Sequence, residues 1–497
     1  MRWPTLRAPR PSTVFYLLVA ILASAPAWIV RHPPLEDLPF HLATLRVVHD
    51  YGNPDYGFQT DFELNIWHTT YVLYYLFGGA LAYVLGVYKA HVAMMCLYLG
   101  GTPLAMRELL RAFGKDERLC LFSVPLVVNV MFMMGLLPFV VGIPLMLLAI
   151  AATVRWFEKP TRDRAIWLGI LSVVLFFAHV FPYALFGVAF AAMFPWARPR
   201  EWLRAGAPVV PSLFCAIWWL RSSGTSRTSG QALALGTPAP LDQKLTGVFG
   251  WSIDIFNDTT DEKWFVLLVV VALISIGLSQ GDPDRSKAIS RPYAALILAS
   301  LAGYLLLGDH LGDIWLLGER FPVFVLLCSI PLLRFPRGWR GWVVLAGVLW
   351  VGVGSTVNVC RHFIKFELDE VGDIDDAIAS MEPRKRVCGL IYDKGSSIVH
   401  YAPFLHFVSY YQAEKGGTTM FSYANYPHWP FHFREGHYPP PGRPARLRWE
   451  WTPEQTPIQE IYPYYDYVLE RGTGFRPPQG TYHVTFHGDH WTVWSRD

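Results

Sequence analysis

Apolar runs of membrane-spanning length recur through the first 360 residues, and they limit what the chain can fold into more than any other feature. About 20 predominantly apolar residues in a helix cross about 30 Å of hydrocarbon. Runs that reach or approach this length occupy 14–30, 90–110, 119–135, 137–154, 165–179, 181–196, 207–221, 264–279, 293–308, 320–334 and 341–359. The pattern predicts a polytopic α-helical membrane protein, with about 11 transmembrane helices in a multi-pass domain over 1–359. Of 497 residues, 53% are hydrophobic and 16% charged, too few charges to cover ordinary soluble domains of that length. The 42 basic and 39 acidic side chains leave a net +3, which with the apolar runs argues against a nucleic-acid partner. The six cysteines are scattered without a C-x-x-C pair, so neither a disulfide framework nor a cysteine metal site is indicated. Only Cys360 and Cys388 fall where a bridge outside the bilayer is conceivable, with two separate buried thiols as the alternative.

Basic residues orient the spans, because short cytoplasmic loops collect Lys and Arg. Arg2, Arg7 and Arg10 precede the first run; Arg111, Lys115 and Arg118, then Arg155, Lys159, Arg162 and Arg164, then Arg198, Arg200 and Arg204 fill later connections. Arg285, Lys287 and Arg291, and then Arg334, Arg337 and Arg340, complete the set. Placing all of them inside requires that one of the neighbouring runs 69–87 and 90–110 does not cross. The tyrosine-rich 69–87 stretch is assigned to a helix at the outer interface, a true span with a re-entrant neighbour being the alternative. The N-terminus is then cytoplasmic, and outer loops 31–68 and 222–263 and the tail lie outside the cytoplasmic membrane. Residues 1–27, ending in Ala25-Pro26-Ala27, also fit a secretory signal peptide; an uncleaved first span keeps the following loop tethered at both ends.

From residue 360 to 497 the sequence turns rich in Tyr, His, Pro and charge and has no run long enough to span. Strands are expected over 386–392, 465–470, 481–486 and 491–495, and a helix over 402–415 closed by Gly416-Gly417. These make a small extracytoplasmic α/β domain.

Chemistry concentrates in the first outer loop, which carries Glu36, Asp37, Asp50, Asp55, Asp61 and Glu63 against Arg31 and Arg46. Pro33-Pro34 stiffens the chain and holds Glu36 and Asp37 near the membrane edge. A sugar on a polyprenyl phosphate would present its phosphate at headgroup depth and the sugar just above. Phosphate leaves without protonation, so transfer needs one carboxylate as general base rather than an acid and base pair. Asp37 suits that role, with a solvated acidic loop as the plain alternative. Asp37 and His41 are spaced to share a helix face, but two ligands are few for a metal, and Asp37 equally suits a helix N-cap. The lipid phosphate requires a cation at the outer edge, for which Arg320 after Gly318-Glu319, Arg221 at the end of a span, and Lys263 are available. Each is otherwise an interfacial anchor that snorkels. His179, in FFAHVFP, sits mid-membrane, where it must find a partner: a neighbouring helix at the Pro182 break, or substrate. In the tail, NYPHWPFHFREGHYPPP gathers His428, His432 and His437 among aromatic rings, open to a metal site, an aromatic loop across a sugar face, or packing.

PPLEDLPFHLA just outside the first span, Glu319-Arg320-Phe321, about 11 spans and an external tail together resemble the GT-C superfamily of integral-membrane glycosyltransferases. That group includes protein mannosyltransferases and the aminoarabinose lipid A transferases. The resemblance covers nearly the whole chain as an architecture rather than a strict motif. It implies transfer of a sugar from a polyprenyl-phosphate-linked donor to a lipid, glycan or protein acceptor at the outer face of the bilayer. Asp37 matches the catalytic acid of that family, Glu36 its acidic neighbour, and Arg320, beside Glu319, the lipid-phosphate contact. His41, Arg221 and His179 complete the candidate substrate-binding set. No second acidic pair stands out, although Asp254, Asp258, Asp261 and Glu262 are available in a later outer loop, so no cofactor is called for and a divalent metal is unsupported. The W-W-D signature of oligosaccharyltransferases is absent. A polysaccharide polymerase, ligase or flippase, or a scaffold that only holds lipid-linked sugar, are the alternative classes; Asn129 and His179 would serve a transporter.

Overall fold

Residues 11–222, 236–279, 290–311, 314–426, 429–440 and 450–497 are described by a computed structural model. Arg2, Arg7, Arg10, Arg285, Lys287, His428 and most of the first half of the 222–263 loop lie outside the described residues.

The apolar runs form helices. Among the described residues Leu137–Glu158, Pro199–Arg221 and Trp339–Val371 are long and apolar enough to cross a membrane. Shorter apolar helices include Ser12–Ala23, Val72–Leu85, Val180–Met193, Arg291–Leu306 and Pro322–Leu332. The expected span 90–110 is interrupted at Gly100, between Val87–Leu99 and Gly101–Ala112. A Cβ on Gly100 would stand 2.6 Å from both the Ala20 carbonyl oxygen and Ser24 Oγ, so glycine here lets the first helix approach its neighbour's backbone.

The 119–135 run departs most from expectation. It is no continuous α-helix but a 3₁₀ stretch, Glu117–Leu126, followed by the single turn Val130–Met133. Pro125 lies inside the first piece, and Asn129 caps the second: its Oδ1 accepts the Phe132 N–H, and its Nδ2 donates to the Leu126 carbonyl and to Tyr98 Oη. Asn129 is thus a backbone-satisfying group. Such irregular backbone is sustainable at this depth because the segment is buried within the bundle. The 69–87 run forms Val72–Leu85, whose Tyr74 and Tyr75 are buried while Phe77, Tyr83 and Val84 are exposed.

The long helix Trp339–Phe366 passes through one π turn, Glu367–Val371, into Ile374–Ser380 and then into a five-stranded sheet. Its order is Thr418–Thr419, Arg386–Ile391, Tyr467–Arg471, Trp491–Arg496 and Tyr482–His487. The first three strands run parallel and the last two form the expected hairpin. The helix expected over 402–415 is confined to Ser409–Lys415, with turns over 403–408 in place of its first part. Gly416 and Gly417 both hold positive φ, and a Cβ there would strike the carbonyl oxygens of Tyr56 and Lys385. The tail is knit to the loop 31–68 by a second small sheet, in which Phe62–Leu64 pairs antiparallel with Phe431–Phe433. All six cysteines are free; Cys388 is buried, its Sγ 3.3 Å from Met420 Sδ, so the bridge to Cys360 does not form.

Candidate active site

The broken 119–135 segment positions the acidic motif. The backbone N–H groups of Glu36 and Asp37 donate to the carbonyls of Met133 (3.0 Å) and Met134 (3.2 Å). Gly135, at φ +74°, closes the turn, and its missing Cβ leaves room for the Asp37 nitrogen, which would otherwise stand 2.6 Å away. Asp37 precedes the helix Leu38–His49 as its N-cap, but its carboxylate makes no capping bond. It faces the tail instead. Its Oδ1 lies 3.0 Å from His406 Nδ1, and Tyr423, whose pKa burial raises, stands near enough for the Asp37 charge to raise it further.

A cavity of about 330 Å³ opens at this point. The first loop and the following segment contribute Glu36, Asp37, His41 and Tyr71; the bundle contributes Phe139, His179 and Arg320; the tail contributes His406, Phe421, Tyr423, Tyr426, Trp429 and Trp451. Burial pushes the Glu36 carboxyl up to about 8, and the charge of Asp37 pushes the same way, so Glu36 keeps its proton near neutrality. Burial also pulls His41 down to about 4. Its Nδ1 is 2.7 Å from Tyr75 Oη, so neutral His41 is tied to the neighbouring helix as well as lining the cavity.

Arg320 is 8% exposed and is aimed by its own neighbourhood. Its Nε donates to the Leu316 carbonyl (3.2 Å) and one Nη to the Trp315 carbonyl (3.0 Å), while the other Nη lies 3.3 Å from His179 Nε2. Phe139 and Phe181 flank the guanidinium at 5.5 and 5.3 Å. Leu316 holds a φ of +56°, a strained backbone that brings its carbonyl onto Arg320. His179 stands in the break between Arg162–Ala178 and Val180–Met193, its Nδ1 accepting the Phe181 N–H at 3.1 Å.

Two of the residues expected here stand elsewhere. Glu319 is not a cavity wall: its Oε1 pairs with Lys244 Nζ at 3.3 Å, both side chains buried, because Lys244 on the helix Leu241–Gly250 is the cation within reach. Arg221 is exposed at the end of Val210–Ser222 and is no wall residue either, as suits a long cationic side chain at the polar end of an apolar helix. Three of the four later acids are taken up by other contacts. Asp261 accepts the N–H groups of Ile255 and Phe256, Asp258 pairs with His362 at 3.0 Å, and Asp254 with His400 at 2.8 Å. In the tail, His432 Nε2 lies 3.1 Å from Asn65 Nδ2 and His437 pairs with Asp61, so these two histidines do not converge. Among the described residues no group of three or more His, Cys, Asp or Glu side chains is placed to hold a metal ion. His406, Phe421 and Tyr423 were not singled out by the sequence; the enrichment of the tail in His and aromatic residues was the only signal pointing to them.

No family model and no curated protein matches the sequence. Solved structures do match the fold, two of ArnT among them. ArnT from Cupriavidus metallidurans bound to undecaprenyl phosphate superposes with a TM-score of 0.59 at 12% identity, covering 98% of each chain. The same ArnT in the apo state gives 0.57 at 12% identity, covering 97% of each chain. The chain is therefore a polytopic helical membrane protein with a C-terminal sheet region, built on the ArnT fold over nearly its whole length.

Proposed function

We propose that this chain is a GT-C-type glycosyltransferase that moves a sugar from a polyprenyl-phosphate donor to a hydroxyl of a lipid, glycan or protein acceptor at the outer face of the cytoplasmic membrane. The observation that carries this reading is one cavity walled by both Asp37 and the buried Arg320. That its fold matches an ArnT bound to undecaprenyl phosphate supports the lipid class of the donor. The orientation follows from the basic connections: N-terminus cytoplasmic, tail outside, about 11 spans between them.

In the step, Asp37 takes the proton of the acceptor hydroxyl as that oxygen bonds to the anomeric carbon. The bond from the anomeric carbon to the phosphate oxygen breaks, its electron pair leaves with the phosphate, and the configuration inverts. Arg320 neutralises the departing phosphate with the N–H donors it does not spend on Trp315 and Leu316. Glu36, whose carboxyl burial raises to about 8, holds its proton more tightly than an ordinary carboxyl, and the base role is given to Asp37, which faces His406 and the tail. The aromatic side chains of the tail give flat surfaces for sugar rings.

Binding of undecaprenyl phosphate to the purified protein tests the reading. A charge-assisted hydrogen bond contributes about 1.5–3 kcal/mol, so Arg320→Met should weaken binding about 10- to 100-fold while Asp37→Asn binds as wild type. Equal binding by wild type and Arg320→Met would remove Arg320 from the donor site.

A further inference from the structure

We infer that His406, supplied by the C-terminal tail, is the positioning residue that holds Asp37 in its reactive geometry, so that the catalytic base is assembled across two regions 369 positions apart in sequence. This rests on the reading of Asp37 as base. His406 is 5% exposed, and its Nδ1 lies 3.0 Å from Asp37 Oδ1, outside the alignment of an ideal hydrogen bond. The ring is held between aromatic neighbours: Phe40, on the helix that Asp37 begins, lies 4.1 Å away centroid to centroid at a tilt of 35°, and Phe421 lies nearly parallel to it at 5.8 Å. Tyr423, from the same tail, lines the cavity beside Asp37, whose charge adds to burial in raising its pKa, and packs 4.6 Å from the Phe40 ring. Burial holds the Tyr423 hydroxyl protonated, so it is available as a donor.

The two neighbours fix the carboxylate's rotation, which the absent N-cap bond leaves undefined. Asp37 holds helical rather than extended backbone (φ −90°, ψ −2°), and Pro39 offers no N–H in the first turn, so the helix start leaves the carboxylate available to the tail. His406 and Tyr423 draw it toward the tail side of the cavity, where Phe421, Tyr426 and Trp429 also stand. The turns at 403–408 that replace the expected helix are what bring the imidazole to this point.

The test uses membranes from cells lacking the chain, which hold both donor and acceptor, mixed with purified full-length protein. Sugar transfer is followed as a function of membrane amount, and undecaprenyl-phosphate binding is measured in parallel. Displacing a catalytic group by about 1 Å costs roughly 100-fold. His406→Gln should therefore lower the rate at saturating membrane about 30- to 100-fold, with the half-saturating amount and undecaprenyl-phosphate binding within about twofold of wild type. His406→Asn, whose amide nitrogen falls where Nδ1 stands, should recover to within about fivefold of wild type. In an Asp37→Asn background, His406→Gln should produce no further loss.

Several results would overturn the inference: wild-type rates in His406→Gln, equal losses in Gln and Asn, a change confined to half-saturation, or loss of undecaprenyl-phosphate binding, which marks a structural role. Full transfer by Asp37→Asn would instead remove the base reading, and this inference with it. Asp37→Asn inactive beside unimpaired His406 variants removes this inference alone.

Discussion

Glu36 should make the folded protein weaken as pH rises, and replacing it with glutamine should remove that dependence. The carboxyl is 6% exposed and is pushed from 4.5 to about 8, first by burial and then by Asp37. The folded state therefore holds this proton more tightly than the unfolded chain does. Its contribution is fully present below pH 4.5 and is lost as pH rises through about 8. Each pH unit between those limits costs about 1.4 kcal/mol, so about 2.5 units of climb to pH 7 amount to roughly 3 kcal/mol, and the full span to roughly 5 kcal/mol. Glutamine keeps the shape and cannot ionise. The exchange of a carboxyl for an amide costs up to about 1 kcal/mol in hydrogen bonding. Glu36→Gln should then be no more stable than wild type at pH 5, more stable at pH 7, and more stable still at pH 8. The assay is the thermal unfolding midpoint of detergent-purified wild type and variant across pH 5 to 8.5. Two curves that stay parallel, or a wild type that gains on the variant as pH rises, would refute the buried, protonated Glu36.

Other consequences follow from the same neighbourhood. Gly135→Ala places a methyl 2.6 Å from the Asp37 nitrogen at a φ of +74°, so it should cost about 2 kcal/mol or more and lower transfer beyond what lost abundance explains, measured by transfer rate per folded protein. His32 is buried five positions before Asp37, its Nδ1 3.1 Å from Glu367 and its Nε2 3.4 Å from Asp375. Burial works against its charge, but hydrogen bonds with Asp375 and Glu367 prevail and raise its pKa from 6.5. Its stabilisation is therefore present below pH 6.5 and lost as pH rises through the raised value, so wild type should exceed His32→Asn in thermal midpoint more at pH 6 than at pH 8.5.

What could be read from the sequence was what local chemistry writes into neighbouring residues. The apolar runs, the Pro33-Pro34-stiffened acids, Arg320 and the terminal hairpin all carry their signal within a dozen positions. The structure brings Glu36, Asp37, His41, His179 and Arg320 to one cavity. Hydropathy could not see that 119–135 is broken, because an averaged apolar window conceals a proline inside it and an asparagine whose side chain replaces backbone hydrogen bonds. That break is what offers the Met133 and Met134 carbonyls to the acidic motif. Glu319 was expected at the substrate site because it stands beside Arg320 in sequence, yet successive side chains diverge, and Lys244 from a distant helix pairs with it. His406 and Tyr423 were out of reach for another reason: their meeting with Asp37 is set by how the tail docks, through pairings such as Phe62 with Phe433, and no local pattern encodes such long-range contacts.

The central claim is that Asp37 removes the acceptor's proton during sugar transfer from a polyprenyl phosphate. Lipid-linked sugars and envelope glycans should be compared by mass spectrometry in cells making wild type or Asp37→Asn at equal abundance. The account predicts that in the variant alone a polyprenyl-phosphate sugar accumulates and one envelope glycan, lipid or protein loses the mass of that single sugar. Identical profiles in the two strains, with the envelope still altered when the whole chain is deleted, would contradict it and leave a scaffold or transport role in its place.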